Sequence, residues 1–225
     1  MTKEENKSRQ IDVLAIGLFG LAVGALTLGL AQLRVIGEAD KVGVFVIAMV
    51  FGGLVQMLAG LTDIRYNEQL GGTALTMYGF YWLTVFGAEL VSESTSFHFD
   101  GYLYVPIKLV YLIFSAVMVY LTAFRSVALS LLHFIISLTF LAAVLVGMGQ
   151  ISKTLPGIGH LCIGVLAFYY AVGSLTQAFM GRPLVPFGPP LLRQPLSGGI
   201  PSDRPGVPRA PKPKIGRPVM PETVQ

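Results

Sequence analysis

Residues 71–84 read GGTALTMYGFYWLT: a glycine pair, Thr73 and Thr76, then Tyr78, Phe80, Tyr81 and Trp82 within five positions. No charge interrupts the stretch. It lies inside an apolar run over residues 72–90, and roughly 20 such residues are what an α-helix needs to cross the hydrocarbon core of a bilayer. Five more runs of this kind cover residues 12–35, 42–62, 105–122, 127–148 and 158–179. Hydrophobic residues make up 53% of the 225-residue chain and charged residues 12%, half the share of about 25% usual in a soluble domain. The composition predicts an all-α, polytopic integral membrane protein with six transmembrane helices. The first run exceeds the 7–15 residues of a cleaved signal core and is read as a retained span.

The chain divides into a polar segment at 1–10, a six-helix transmembrane domain at 11–181, and a tail at 182–225. The tail holds twelve of the fourteen prolines and is basic. Proline at this density cannot continue a helix, so the tail reads as disordered, with its cations available to the anionic inner leaflet. Basic residues collect on the cytoplasmic side of a membrane. With the N-terminus inside, twelve of the sixteen Lys and Arg residues face the cytoplasm and four, Arg34, Lys41, Lys108 and Lys153, face outward. Both termini are therefore expected in the cytoplasm. Cys162 stands alone, which rules out an intrachain disulfide and a cysteine-based metal site. No metal or cofactor is expected, and nothing points to nucleic acid. The chain also lacks His-Glu-x-x-His, Gly-x-Ser-x-Gly and a phosphate loop, so no enzyme is expected.

Small residues supply close-packing faces: Gly17, Gly20 and Gly24 in the first span, and Gly52 and Gly60 around Gln56 in the second. The order of residues from 52 to 84, GGLVQMLAGLTDIRYNEQLGGTALTMYGFYWLT, resembles the second and third helices of the acetate uptake transporter family. That family holds the bacterial succinate–acetate permeases and the fungal acetate and ammonia-export proteins. Gly52, Gly53, Gln56, Ala59, Gly60, Gly71, Thr73, Ala74, Tyr78, Gly79, Trp82 and Leu83 carry the pattern. Asp63 stands where the family usually has Glu, Ser174 where Glu is usual, and QIDVLAIG where its first helix opens with Asn-Pro-Ala-Pro-Leu-Gly. The resemblance implies a plasma-membrane transporter or channel for acetate and other small monocarboxylates, succinate included. It further implies proton linkage and a ring-shaped homo-hexamer with one pore per protomer. By the same resemblance, Phe19, Tyr78 and Leu138 form a hydrophobic constriction.

The residues themselves suggest further roles. An isolated carboxylate is costly to bring into hydrocarbon, so a pore for it needs donors beside surface that accepts a methyl group. Gln56, Thr73, Thr76 and Trp82 are the substrate-binding candidates; Gln56 either lines the pore or bridges helices, and the threonines either line it or satisfy their own backbone. The glycine pair and Thr73 place backbone N–H groups at a helix start, where anions are favoured. His133 and Glu89 are the proton-relay candidates, since ionisable groups at membrane depth mark function; otherwise His133 is a neutral, packed ring and Glu89 an interfacial carboxylate. Competing expectations are a neutral-solute pore for ammonia or amides, and a non-transporting scaffold whose tail binds a partner.

Overall fold

The computed structural model describes residues 13–193 apart from His98 and Asp100. Six helices are long and apolar enough to cross a membrane, and the described residues contain no strand. We label them α1 (Val13–Gln32), α2 (Glu38–Arg65), α3 (Gln69–Ser94), α4 (Tyr104–Thr122), α5 (Val127–Gly147) and α6 (Thr154–Met180). α2, α3 and α6 start three or four residues ahead of their apolar runs. α2 opens on Glu38 and Asp40, α3 on Gln69 and α6 on Thr154, polar residues that a search for apolar runs leaves out.

α1 is the centre of the bundle, packed chiefly on α6 and α2; α2 packs on α3, and α4 on α5. Without a hydrophobic force between helices in lipid, close backbone approach holds such crossings. The small residues provide it. A Cβ on Gly20 would lie 2.6 Å from the Phe51 carbonyl oxygen, and one on Gly60 would lie 2.5 Å from both the backbone nitrogen and Oγ1 of Thr76. α2 is not uniform: Ala48–Val55 is wound as π-helix between α-helical segments. α4 turns a row of exposed apolar side chains outward, Val110, Ile113 and Val117 among them, as a lipid-facing helix does.

The beginning of the proline-rich tail, up to residue 193, packs on the bundle. Phe187 stacks on Tyr170 with ring centroids 4.4 Å apart. The Val127 and Ala128 N–H groups donate to the carbonyls of Pro189 and Phe187 at 3.1 and 2.9 Å. Those are first-turn groups of α5 with no partner inside their own helix, and Ser126 Oγ accepts a third from Leu129. Proline cannot donate, but its carbonyl accepts. The segment is thus a strap across the start of α5 and the end of α6. Residues 194–225, and the N-terminal segment at 1–10, lie outside the described residues.

Candidate functional site

Two cavities that share lining residues lie among the helices of the described residues. The larger, about 460 Å³, is lined by the start of α1, the end of α2, the start of α3, the end of α4, the start of α5 and the end of α6. It falls within the range of about 300–1,000 Å³ usual for small-molecule sites. Its mouth carries Tyr66 and the Arg125–Glu68 ion pair (2.9 Å). Deeper in the wall are Gln56, Asp63, Thr122 and His133. The smaller cavity, about 40 Å³, is bounded by Tyr81, Trp82, Thr139, Phe140 and His160. Leu21, Tyr78 and Ile136 line both, and each is 4% exposed. These three side chains are the neck between the cavities.

Tyr78 is fixed in that neck. Its hydroxyl donates to Ser115 Oγ on α4 at 3.1 Å, and Ser115 Oγ donates to the Tyr111 carbonyl at 2.7 Å. The Tyr111 hydroxyl returns a bond to the Met77 carbonyl at 2.7 Å. The Tyr78 ring sits 5.3 Å from Phe114, 6.0 Å from His133 and 6.4 Å from Phe140. Its hydroxyl hydrogen is therefore committed to α4, while the residue lines both cavities. Trp82 is seated by the glycine opposite it: a Cβ on Gly52 would fall 2.6 Å from Trp82 Cδ2. The indole stacks on Phe86 at 5.1 Å and meets His160 edge-on at 6.0 Å.

A histidine stands on each side of the neck. His133 Nδ1 lies 2.9 Å from the Leu129 carbonyl, and His160 Nδ1 lies 2.8 Å from the Pro156 carbonyl and 2.9 Å from Gln32 Oε1. A backbone carbonyl only accepts, so each Nδ1 carries the hydrogen. Nε2 is then the acceptor when the ring is neutral. His133 lines the larger cavity and His160 the smaller.

Residues 2–181 match the family described as GPR1/FUN34/yaaH. The chain belongs to the GPR1/FUN34/yaaH family. It is similar to "Ammonia transport outward protein 2" of Saccharomyces cerevisiae, 40% identical over 73 residues, 32% of this chain and 26% of the relative. It is also similar to "Succinate-acetate/proton symporter SatP" of Escherichia coli K12, 29% identical over 188 residues, 77% of this chain and 93% of the relative. The chain therefore spans about a quarter of the yeast relative and nearly all of the bacterial one. Among solved structures, one described as the bacterial acetate channel SatP matches with a TM-score of 0.71 at 22% identity, covering 80% of this chain and 100% of that one. That likeness establishes the GPR1/FUN34/yaaH fold for this bundle.

Within this GPR1/FUN34/yaaH bundle the sequence-derived residues fall in several places. Tyr78, Gln56 and His133 line the larger cavity, and Tyr78 and Trp82 the smaller. Phe19 and Leu138 line neither, so the expected trio does not come together as a ring. Phe19 pairs edge-on with Phe168 at 5.5 Å, and Leu138 is 49% exposed on the outer face of α5. Leu21 and Ile136, each two residues away and so about 200° round the helix, occupy the neck instead. Thr73 is exposed, and Thr76 is pressed against Gly60 at the α2–α3 crossing; neither lines a cavity. Leu70, Gly71 and Ala74 do, so the start of α3 reaches the larger cavity without its threonines. Glu89 lines neither cavity and stands among Lys41, Tyr104 and Lys108 at the far end of the bundle. His160 and Ser115 were missed. Their sequence signal is a polar residue inside an apolar run, one turn beyond Pro156 for His160 and centrally in α4 for Ser115.

Proposed function

We propose that this chain is a plasma-membrane transporter or channel for acetate and other small monocarboxylates, whose path runs from the larger cavity past Leu21, Tyr78 and Ile136 to the smaller one. The observation that carries the reading is the pair of cavities meeting at one apolar neck, in a chain whose relatives are named for acetate, succinate and ammonia transport. Apolar side chains at the neck suit a methyl group and oppose a bare carboxylate, whose desolvation is costly. Proton linkage follows from that cost: the protonated acid crosses the neck, and His133 and His160 take up or return its proton on either side. The bias of basic residues supports cytoplasmic termini, so the larger cavity opens inward. The exposed apolar faces are compatible with a homo-hexameric ring in lipid, and the basic tail with contact to anionic headgroups.

A neutral-solute pore for ammonia or amides is the second reading, favoured by the 40% identity to the ammonia-transport relative over 73 residues. Uptake of labelled acetate by proteoliposomes, with and without an inward proton gradient, tests the first. Uptake above protein-free vesicles that rises with the gradient supports it. Folded protein that passes methylammonium or acetamide but no acetate refutes it in favour of the second.

A further inference from the structure

The least explained polar group in the bundle is the amide of Gln56. The residue is 0% exposed and stands in the wall of the larger cavity, yet neither Nε2 nor Oε1 has a hydrogen-bond partner. Buried polar groups are normally paired, as two on the same wall are: Thr122 Oγ1 donates to the Met118 carbonyl at 2.6 Å, and His133 is held as described. Thr76 Oγ1, at the α2–α3 crossing and outside both cavities, is unpaired as well. Gln56 is also the first residue after the π-helical stretch Ala48–Val55, a winding frequent at functional sites.

A primary amide with both ends unpaired presents one donor and one acceptor side by side. Interchanging its oxygen and nitrogen leaves that description unchanged. Its complement is a group with an acceptor and a donor in the same spacing. A protonated carboxylic acid is such a group: its carbonyl accepts from Nε2–H while its O–H donates to Oε1. A carboxylate anion is not, because its second oxygen would face Oε1 lone pair to lone pair. The ionisable groups on the same wall point the same way. Asp63 and Glu68 are acidic, the Arg125 guanidinium is paired with Glu68, and His133, Tyr66, Tyr78 and Tyr170 complete the set among the described residues. Among the described residues of this wall Arg125 is the one Lys or Arg side chain, and its guanidinium is taken by Glu68.

We infer that Gln56 is the recognition group for the substrate's carboxyl in its protonated form, seating it by two hydrogen bonds below the Leu21–Tyr78–Ile136 neck. The inference rests on the transport reading above and names the species that the pathway accepts. One proton then travels with each acid as part of the solute. No residue has to change charge at the neck.

The test uses the full chain in proteoliposomes at equal pH on both faces, with protein-free vesicles subtracted. Wild-type acetate uptake by itself tests the transport reading. Competition by acetamide and by methyl acetate then tests the inference, because acetamide offers donor and acceptor whereas the ester offers only acceptors. Acetamide is expected to inhibit at concentrations about tenfold lower than methyl acetate. Gln56→Met keeps the volume without the amide; it should lower acetate uptake about tenfold and abolish the difference between the two inhibitors. It should fold at least as well as wild type, because it removes an unpaired buried amide. Gln56→Glu, protonated when buried, restores a donor and an acceptor and should recover uptake as pH falls. Wild-type uptake that acetamide does not inhibit, or unchanged uptake and inhibitor order in Gln56→Met, overturns the inference. Should Gln56→Met fail to fold, Gln56→Glu decides, and uptake without recovery at low pH counts against it.

Discussion

Replacing Gly52 by alanine should close the small cavity without touching the neck. A Cβ at Gly52 would sit 2.6, 2.9 and 3.0 Å from Trp82 Cδ2, Cε3 and Cγ. Ordinary contact begins near 3.4 Å, so the ring must retreat by about 3.4 − 2.6 = 0.8 Å. The atoms concerned are at the root of the indole, so a change at the tip of the side chain cannot absorb the shift. Phe86 at 5.1 Å and His160 at 6.0 Å stand in the way of the ring. The free space beside it is the cavity of about 40 Å³ that Trp82 itself lines. Overpacking of this sort costs about 1–3 kcal/mol. Gly52→Ala should therefore lower both the thermal stability of the purified protein and acetate uptake. Gly87→Ala on α3 is the control, since its nearest neighbour would be Met49 Sδ at 3.9 Å, and it should match wild type in both assays. Wild-type uptake and stability in Gly52→Ala would refute the packing of Trp82 on Gly52 and the place of the small cavity in the path.

Three further outcomes follow from the geometry. Ile136→Ala should widen the neck and change which carboxylates pass, whereas Leu138→Ala, on the outer face of the same helix, should leave uptake and selection as in wild type. Ser115→Ala strands the Tyr78 hydroxyl in a buried site and should cost about 1–3 kcal/mol in thermal or denaturant unfolding. Adding Tyr78→Phe to it removes the stranded group and should recover most of that loss. Phe187→Ala breaks the stack on Tyr170, and because Phe187 is half-buried the loss should be nearer 1–2 than the roughly 3–5 kcal/mol of a fully buried ring. Limited proteolysis within 183–192 reports it directly, with cleavage faster than in wild type.

The six spans were legible because length and absence of charge are what a bilayer demands of a helix, and both can be counted in sequence. The facing of each span was not. α1 is apolar almost all round and α5 scatters Ser130, His133, Ser137 and Thr139 among its apolar residues, so composition alone does not separate the cavity-lining Leu21 and Ile136 from Phe19 and Leu138 two residues away. Polar residues inside α4 and α6 carry more information: Ser115 accepts the Tyr78 hydroxyl, and His160 lines the smaller cavity. The tail's first dozen residues are held by carbonyls that α5 needs for its own unpaired N–H groups. Such a need belongs to the neighbouring helix and is invisible in the tail. Tyr78, Trp82 and Gln56 were reached through the order of residues in GGLVQ and TMYGFYWLT; the threonines of the same stretch serve helix crossing and surface instead.

The most direct measurement is uptake of labelled acetate and of benzoate, a bulkier carboxylate, by proteoliposomes carrying wild type or Tyr78→Ala. If the path runs past Tyr78, removing the ring joins the two cavities; benzoate entry should rise severalfold relative to acetate, in protein that remains folded. Acetate and benzoate entry unchanged from wild type in Tyr78→Ala would contradict a path through this neck.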